Sequence, residues 1–171
     1  MNLTSTLVAL SIGVLSPISV ACNSTPVAVT VAEKGDRPDL EHQNLGKGGL
    51  AISGYDPVSY FEVGGSKPRK GKSELSVRER GVTYRFATKE NMELFKKSPA
   101  KFEPYYGGWC AYAMADGSKV EIDPTSYLIQ DGHLLLFYKS FFNNTRKTWS
   151  KKPADYAVKA DRRWAEVIKT D

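Results

Sequence analysis

Two sulfur-bearing side chains stand four residues apart in the segment Tyr106-Gly107-Gly108-Trp109-Cys110-Ala111-Tyr112-Ala113-Met114. Ala111 and Ala113 favour a short helix over residues 109 to 116, and Gly117 is placed to end it. Cys110 then falls in the first turn, and Met114 lies on the same face one turn later. Unpaired backbone N–H groups and the positive end of the helix dipole favour thiolate over thiol at such a position. A thiolate and a thioether side by side suit a soft ion such as Cu(I). His133 is the candidate third ligand, although a residue just after Asp131-Gly132 is more often a plain surface residue. Against the metal reading, Cys110 could be a small buried hydrophobe among aromatics, and Met114 could be core filling. No Cys-x-x-Cys or His-x-x-x-His spacing supports a zinc site.

Gly107-Gly108 permits backbone conformations closed to other residues and lets a ligand approach the main chain. With Tyr106 and Trp109 these glycines form one half of a candidate pocket, which Tyr60, Tyr105 and Tyr112 could extend around Cys110, though such a density of aromatics also builds cores. Tyr55 and Asp56 supply the other half. A carboxylate beside a phenol can serve acid/base chemistry, but Asp before Pro57 also starts a turn that its carboxylate caps. No nucleophile elbow, P-loop or dinucleotide fingerprint is present. A Cys/His dyad would have to draw on His42 or His133, which makes hydrolase chemistry a poor fit.

These residues need a scaffold, and the pattern predicts one. Leu75 and Val77, then Val82, Tyr84 and Phe86, alternate with polar residues on either side of Arg80-Gly81, as a half-buried hairpin does. Tyr127 to Gln130 and His133 to Tyr138 flank Asp131-Gly132, a pair suited to a tight turn. The run Leu134-Leu135-Leu136-Phe137-Tyr138 is apolar throughout, so its strand is expected to be covered on both faces. Thr88 is placed to cap a helix from Lys89 to about Lys97, and Ser98-Pro99 restarts a turn. Pro153 opens a carboxyl-terminal helix whose stripe Tyr156, Ala160, Trp164, Ile168 should pack onto the sheet. The predicted fold is α+β, a small mainly antiparallel sheet with flanking helices.

Three segments together resemble a known family. They are Ala51-Ile52-Ser53-Gly54-Tyr55-Asp56-Pro57-Val58-Ser59-Tyr60-Phe61, then Tyr84-Arg85-Phe86-Ala87 leading to Phe95 and Ser98-Pro99-Ala100-Lys101-Phe102, then Tyr106 to Ala113. In this order and spacing they resemble the exported branch of the YHS-domain family, from about Leu50 to Trp164. The resemblance implies a YHS-like domain and soft-metal handling, with a copper-type ion as the cofactor it suggests. The Tyr-His-Ser tripeptide behind the family name is missing from this chain. Some members of the exported branch are selenoproteins, which implies selenocysteine at the position matching Cys110 and hence redox or soft-metal chemistry at that atom.

Of the 171 residues, 41% are hydrophobic, enough for one domain with a substantial core. The net charge of +5 arises from 24 basic residues interspersed with 19 acidic ones, which points away from a nucleic-acid partner. Two basic clusters, Lys67-Pro68-Arg69-Lys70 with Lys72 and Lys147 with Lys151-Lys152, could meet an anionic surface but read as solvated loop charge. The first charged side chain is Glu33. Leu7 to Leu15 has the length of a signal-peptide core, Pro17 breaks it, and Ser19-Val20-Ala21 resembles a cleavage site, so residues 1–21 are expected to direct export to a periplasmic or secreted location. The n-region carries no Lys or Arg. Cys22, directly after Ala21, fits a lipid-anchored amino terminus, with plain secretion as the alternative. Residues 22–49 read as a flexible linker and 50–171 as the folded domain. If Cys22 is acylated or removed, Cys110 is a lone thiol; a Cys22–Cys110 disulfide is the less favoured pairing. Three functions follow as expectations: soft-metal binding through Cys110, a single-cysteine thiol oxidoreductase, or a ligand- or protein-binding module in which Cys110 is merely packed.

Overall fold

The computed structural model describes residues 35–169, so residues 1–21, expected to be a signal peptide, and Cys22 lie outside the described residues. The fold is α+β. Four strands form one sheet in the order β1 (Leu45–Gly46), β2 (Leu50–Ala51), β4 (Val82–Phe86), β3 (Lys72–Glu79); β2 and β4 run parallel, and the other pairs are antiparallel. A second sheet is the hairpin of β5 (Asp123–Gln130) and β6 (His133–Phe137). Both long hairpins turn as their dipeptides predict: φ is positive at Arg80 and Gly81 (48° and 89°) and at Asp131 and Gly132 (51° and 80°), the pair of left-handed residues that matches strand twist.

Helix α1 (Lys89–Lys97) starts where Thr88 accepts a hydrogen bond from the Asn91 N–H at 3.1 Å. Pro99 opens α2 (Pro99–Phe102) and Pro153 opens α5 (Pro153–Val167). Between them lie α3 (Ala111–Met114) and α4 (Thr145–Trp149). The α5 stripe packs chiefly against α3 and the Tyr105–Gly108 turn rather than directly on a sheet. Within it Ala160 is buried, Tyr156 and Trp164 are half-buried, and Ile168 is exposed.

Strand β6 explains the continuous apolar run. Its side chains alternate between two cores: Leu134 and Leu136 join Val58, Tyr60, Tyr84, Phe86 and Phe95, whereas Leu135 and Phe137 join Tyr106, Met114, Trp149 and Ala160. One edge of β6 pairs with β5. The other carries parallel bridges from Leu134 to Pro104 and from Leu136 to Cys110, so the strand is covered on both faces and both edges.

The linker expected over 22–49 ends earlier than its composition suggests. The Arg37 N–H donates to the Arg80 carbonyl (3.1 Å), the Arg37 guanidinium binds Asp39 and Glu103 (2.6 and 3.2 Å), and Leu40 and Leu45 pack against the larger core. Gly46-Lys47-Gly48-Gly49 is the turn between β1 and β2. This segment is held mostly by polar contacts, which leave no hydrophobic period to detect.

Asp56 ties the amino-terminal half together. Its side chain has no exposed surface, yet each oxygen accepts two hydrogen bonds: Oδ1 from the Val58 and Ser59 N–H groups (2.9 and 3.3 Å), Oδ2 from the Ala87 N–H and Asn91 Nδ2 (2.9 and 2.7 Å). A buried carboxylate is tolerated when its lone pairs are fully used. Removing it leaves the Val58 and Ala87 N–H groups and the Asn91 amide without this acceptor, while the Ser59 N–H keeps the Asp56 main-chain carbonyl (3.2 Å). Asp56→Ala is therefore expected to cost about 3–5 kcal/mol in chemical denaturation. Asp56→Asn, which turns an amide donor toward donors, should recover only part of that; a loss below about 1 kcal/mol for the alanine variant would show that the carboxylate is not a structural junction.

Candidate functional site

The glycine motif forms a left-handed kink. Tyr106, Gly107 and Gly108 have φ of 53°, 61° and 81°. At Gly107 a Cβ would come within 2.7 Å of the Trp164 ring and 3.1 Å of the His42 carbonyl, so both conformation and space require glycine there. The kink is clamped by the segment before β1. The Asn44 N–H donates to the Gly107 carbonyl (2.8 Å), Asn44 Nδ2 to the Gly108 carbonyl (3.2 Å), and the Trp109 indole to the His42 carbonyl (2.7 Å). His42 thus stands beside Trp109, but its ring accepts from Lys119 Nζ at Nδ1 (2.9 Å) and faces Glu41 at Nε2 (3.5 Å).

Cys110 comes next, and the structure corrects its expected setting. It is the residue before α3 rather than a member of its first turn, and α3 is only four residues long. Its own N–H donates to the Val120 carbonyl (3.0 Å), and its backbone bridges Leu136. The side chain has no exposed surface. Sγ lies 3.4 Å from Thr145 Oγ1. The Thr145 hydroxyl also lies within hydrogen-bond reach of the Tyr138 carbonyl (3.0 Å), so Sγ shares its polar partner with a backbone acceptor. The positive-end activation expected for Cys110 has no helix of sufficient length behind it.

Of the proposed ligands, Met114 is on the turn expected, with its N–H donating to the Cys110 carbonyl (3.0 Å), and is fully buried in the smaller core. His133 is not with them. It is exposed, three strand residues from the Leu136 bridge, about 10 Å of extended backbone. Among the described residues no group of three or more His, Cys, Asp and Glu side chains is positioned to hold a metal ion.

The candidate pocket residues also separate. The Asp56 carboxylate is consumed by its four donors, and the Tyr55 ring carries Lys70 Nζ 4.6 Å from its centroid. Gly108 borders a cavity of about 100 Å³ with Asn44, Ile52, Ser53, Glu121 and Ile122. Tyr106 and His133 meet instead at an open cavity of about 190 Å³, completed by Tyr105, Gln130, Asp131 and Asp161. There the His133 ring stacks on Tyr105 with centroids 4.2 Å apart and planes 19° apart. The Tyr106 hydroxyl donates to Asp161 Oδ1 (2.9 Å). Burial first, then the hydrogen bond and charge of Asp161, push the Tyr106 phenol well above the ordinary tyrosine range; burial and the same carboxylate raise Tyr105 too. Both phenols therefore stay neutral in weakly alkaline solution. Sequence reasoning missed Thr145 and Asp161, because each reaches its partner across more than thirty residues and carries no motif.

The fold and this cavity define an α+β domain with a small acidic, aromatic-lined hollow and, separate from it, a sealed thiol. Comparison with protein-family models, with curated proteins and with solved structures finds no match to this chain.

The sealed thiol has a direct readout. In a Cys22→Ser background, Cys110 is expected to react with a thiol reagent such as dithionitrobenzoate at least about a hundredfold more slowly in the native protein than in denaturant. Native labelling at the denatured rate would mean that the sulfur is open.

Proposed function

We propose that this chain is a non-catalytic, YHS-like binding module that holds a small ligand in the cavity of Tyr105, Tyr106, His133 and Asp161, with Cys110 serving as packing. The observation that carries this reading is the contrast between the two places. The Cys110 sulfur has no exposed surface, whereas aromatic faces and polar groups border the open hollow. Thiol peroxidase chemistry needs a reachable thiolate, which the complete burial of the Cys110 sulfur opposes. The cavity sets the stacked Tyr105 and His133 rings beside the carboxylates of Asp131 and Asp161, a combination complementary to a small organic cation.

Benzylammonium and its neutral counterpart benzyl alcohol probe this at pH 8 by backbone NMR titration. The cation is expected to give saturable shifts at Tyr105, Gln130, His133 and Asp161, and affinity is expected to fall about five- to tenfold in Tyr105→Ala and in Asp131→Asn. Equal response to both compounds, or shifts indifferent to the substitutions, would defeat the reading.

One observation supports a second reading. Cys110 and Met114 are both wholly buried at the two ends of one helical turn, the thiolate–thioether pair that a soft ion selects. The resemblance to YHS domains and to selenoproteins at Gly107-Gly108-Trp109-Cys110 supports it too. In that case Cu(I) competition against bicinchoninate, in the Cys22→Ser background under reducing conditions, should show one equivalent bound, lost in Cys110→Ser and weakened in Met114→Leu. Absence of uptake, or uptake that survives Cys110→Ser, eliminates this second function and leaves the cavity reading intact.

A further inference from the structure

The connection between β6 and α4 presents the most exposed large apolar side chains of the described residues. Phe141 and Phe142 are 94% and 95% exposed, and their rings meet edge to face with centroids 4.8 Å apart. Single exposed apolar residues are ordinary on protein surfaces; two adjacent phenylalanines with almost no protein cover are not. The turn beneath them is built rather than slack. The Ser140 N–H donates to the Asn143 carbonyl (2.7 Å), the Asn143 N–H to Ser140 Oγ (3.2 Å), and Lys139 bridges Asn144 in antiparallel fashion. Asn144 Oδ1 then accepts from both the Arg146 N–H (3.1 Å) and Ser126 Oγ (3.0 Å), fastening the base of the turn to α4 and β5.

Along the chain, the charge flanking this tip has one sign. From His133 to Lys152 the chain contains no Asp or Glu, while Lys139, Arg146, Lys147, Lys151 and Lys152 are basic. Lys139 is partly offset by Asp123 at 3.7 Å from across the hairpin. Arg146 and Lys147 lie on α4, which begins three residues after Phe142, and Lys151 and Lys152 follow its end.

We propose that the Phe141–Phe142 turn is a membrane-docking tip that inserts its two rings into the headgroup region of an anionic bilayer while the exposed Lys147, Lys151 and Lys152 face the lipid phosphates. The shape argues for lipid over a protein partner. Two side chains on a convex tip offer far less than the roughly 800 Å² per side that a stable protein interface buries. A bilayer accepts a small protruding apolar wedge, and its anionic headgroups complement the basic flank. The loop basic cluster that the sequence leaves as solvated charge thereby acquires a target.

The test is sedimentation of the full chain, in the Cys22→Ser background, with vesicles of phosphatidylcholine alone and with about one third phosphatidylglycerol. Binding is expected to be stronger to the anionic vesicles and to weaken as salt is raised. Phe141→Ser with Phe142→Ser should lower affinity at least about tenfold, and Lys147→Glu with Lys151→Glu should lower it for anionic vesicles only. Both double variants are expected to keep the native circular dichroism spectrum, since all four side chains are exposed. Vesicle binding that is unchanged by the serine pair overturns the proposal, because the apolar segment at residues 7–15 would then account for it. A serine pair that alters the oligomeric state but not vesicle binding overturns it as well, and assigns the tip to a protein contact.

Discussion

Strand β6 is the constraint on which the rest of the domain depends. Its residues point alternately into two cores, so every apolar side chain from Leu134 to Phe137 is buried although only two strands form that sheet. Burying both faces forces both edges to be satisfied, because a covered backbone group without a partner is costly. β5 supplies one edge; Pro104 and Cys110 supply bridges on the other. Cys110 is consequently a backbone component of the wall between the cores before it is a thiol. Its sulfur points into packed protein and reaches the Thr145 hydroxyl at the start of α4.

A second junction, at Asp56, organises the opposite side of the larger core. One carboxylate gathers N–H donors from the turn at Val58–Tyr60, from the end of β4 and from α1. No cation pairs with it through these contacts; neutral dipoles do that work. The same side chain that a catalytic reading would make an acid or base is instead an acceptor with all four lone pairs engaged, and the cost of burying its charge is offset only while that geometry holds. The Tyr55-Asp56-Pro57 motif is thus a folding element. Its spacing from the glycine kink reflects two separate structural tasks.

The chemical interest of the domain accordingly moves from sulfur to the margin of the smaller core. Tyr106 is drawn inward by the left-handed kink and held there by Asp161 from α5; Tyr105 stays at the rim, where His133 stacks on it. The hollow exists because the kink and the start of β6 meet α5 at that point. The linker-like segment from Arg37 to Gly49 contributes from outside, closing over the kink through Asn44 and the His42 carbonyl. An apparently featureless stretch of chain therefore helps to shape the surface beside the glycines.

Local order was legible in the sequence wherever a short-range rule governs it. Both hairpins, the Thr88 cap, the proline starts of α2 and α5, the α+β class and the double burial of β6 follow from turn chemistry and periodicity, which act over a few residues. The Asp56 turn was readable for the same reason, through the Asx-Pro rule. Three things were not. The docking of residues 37–49 relies on scattered hydrogen bonds, the partners Thr145 and Asp161 come from distant elements, and the fate of Cys110 turns on what covers it. A cysteine at the edge of a helix can be reactive or inert with the same neighbours in sequence. Only the packing of β6 and α4 around it decides which, because solvent access and hydrogen-bond direction are properties of three-dimensional contact.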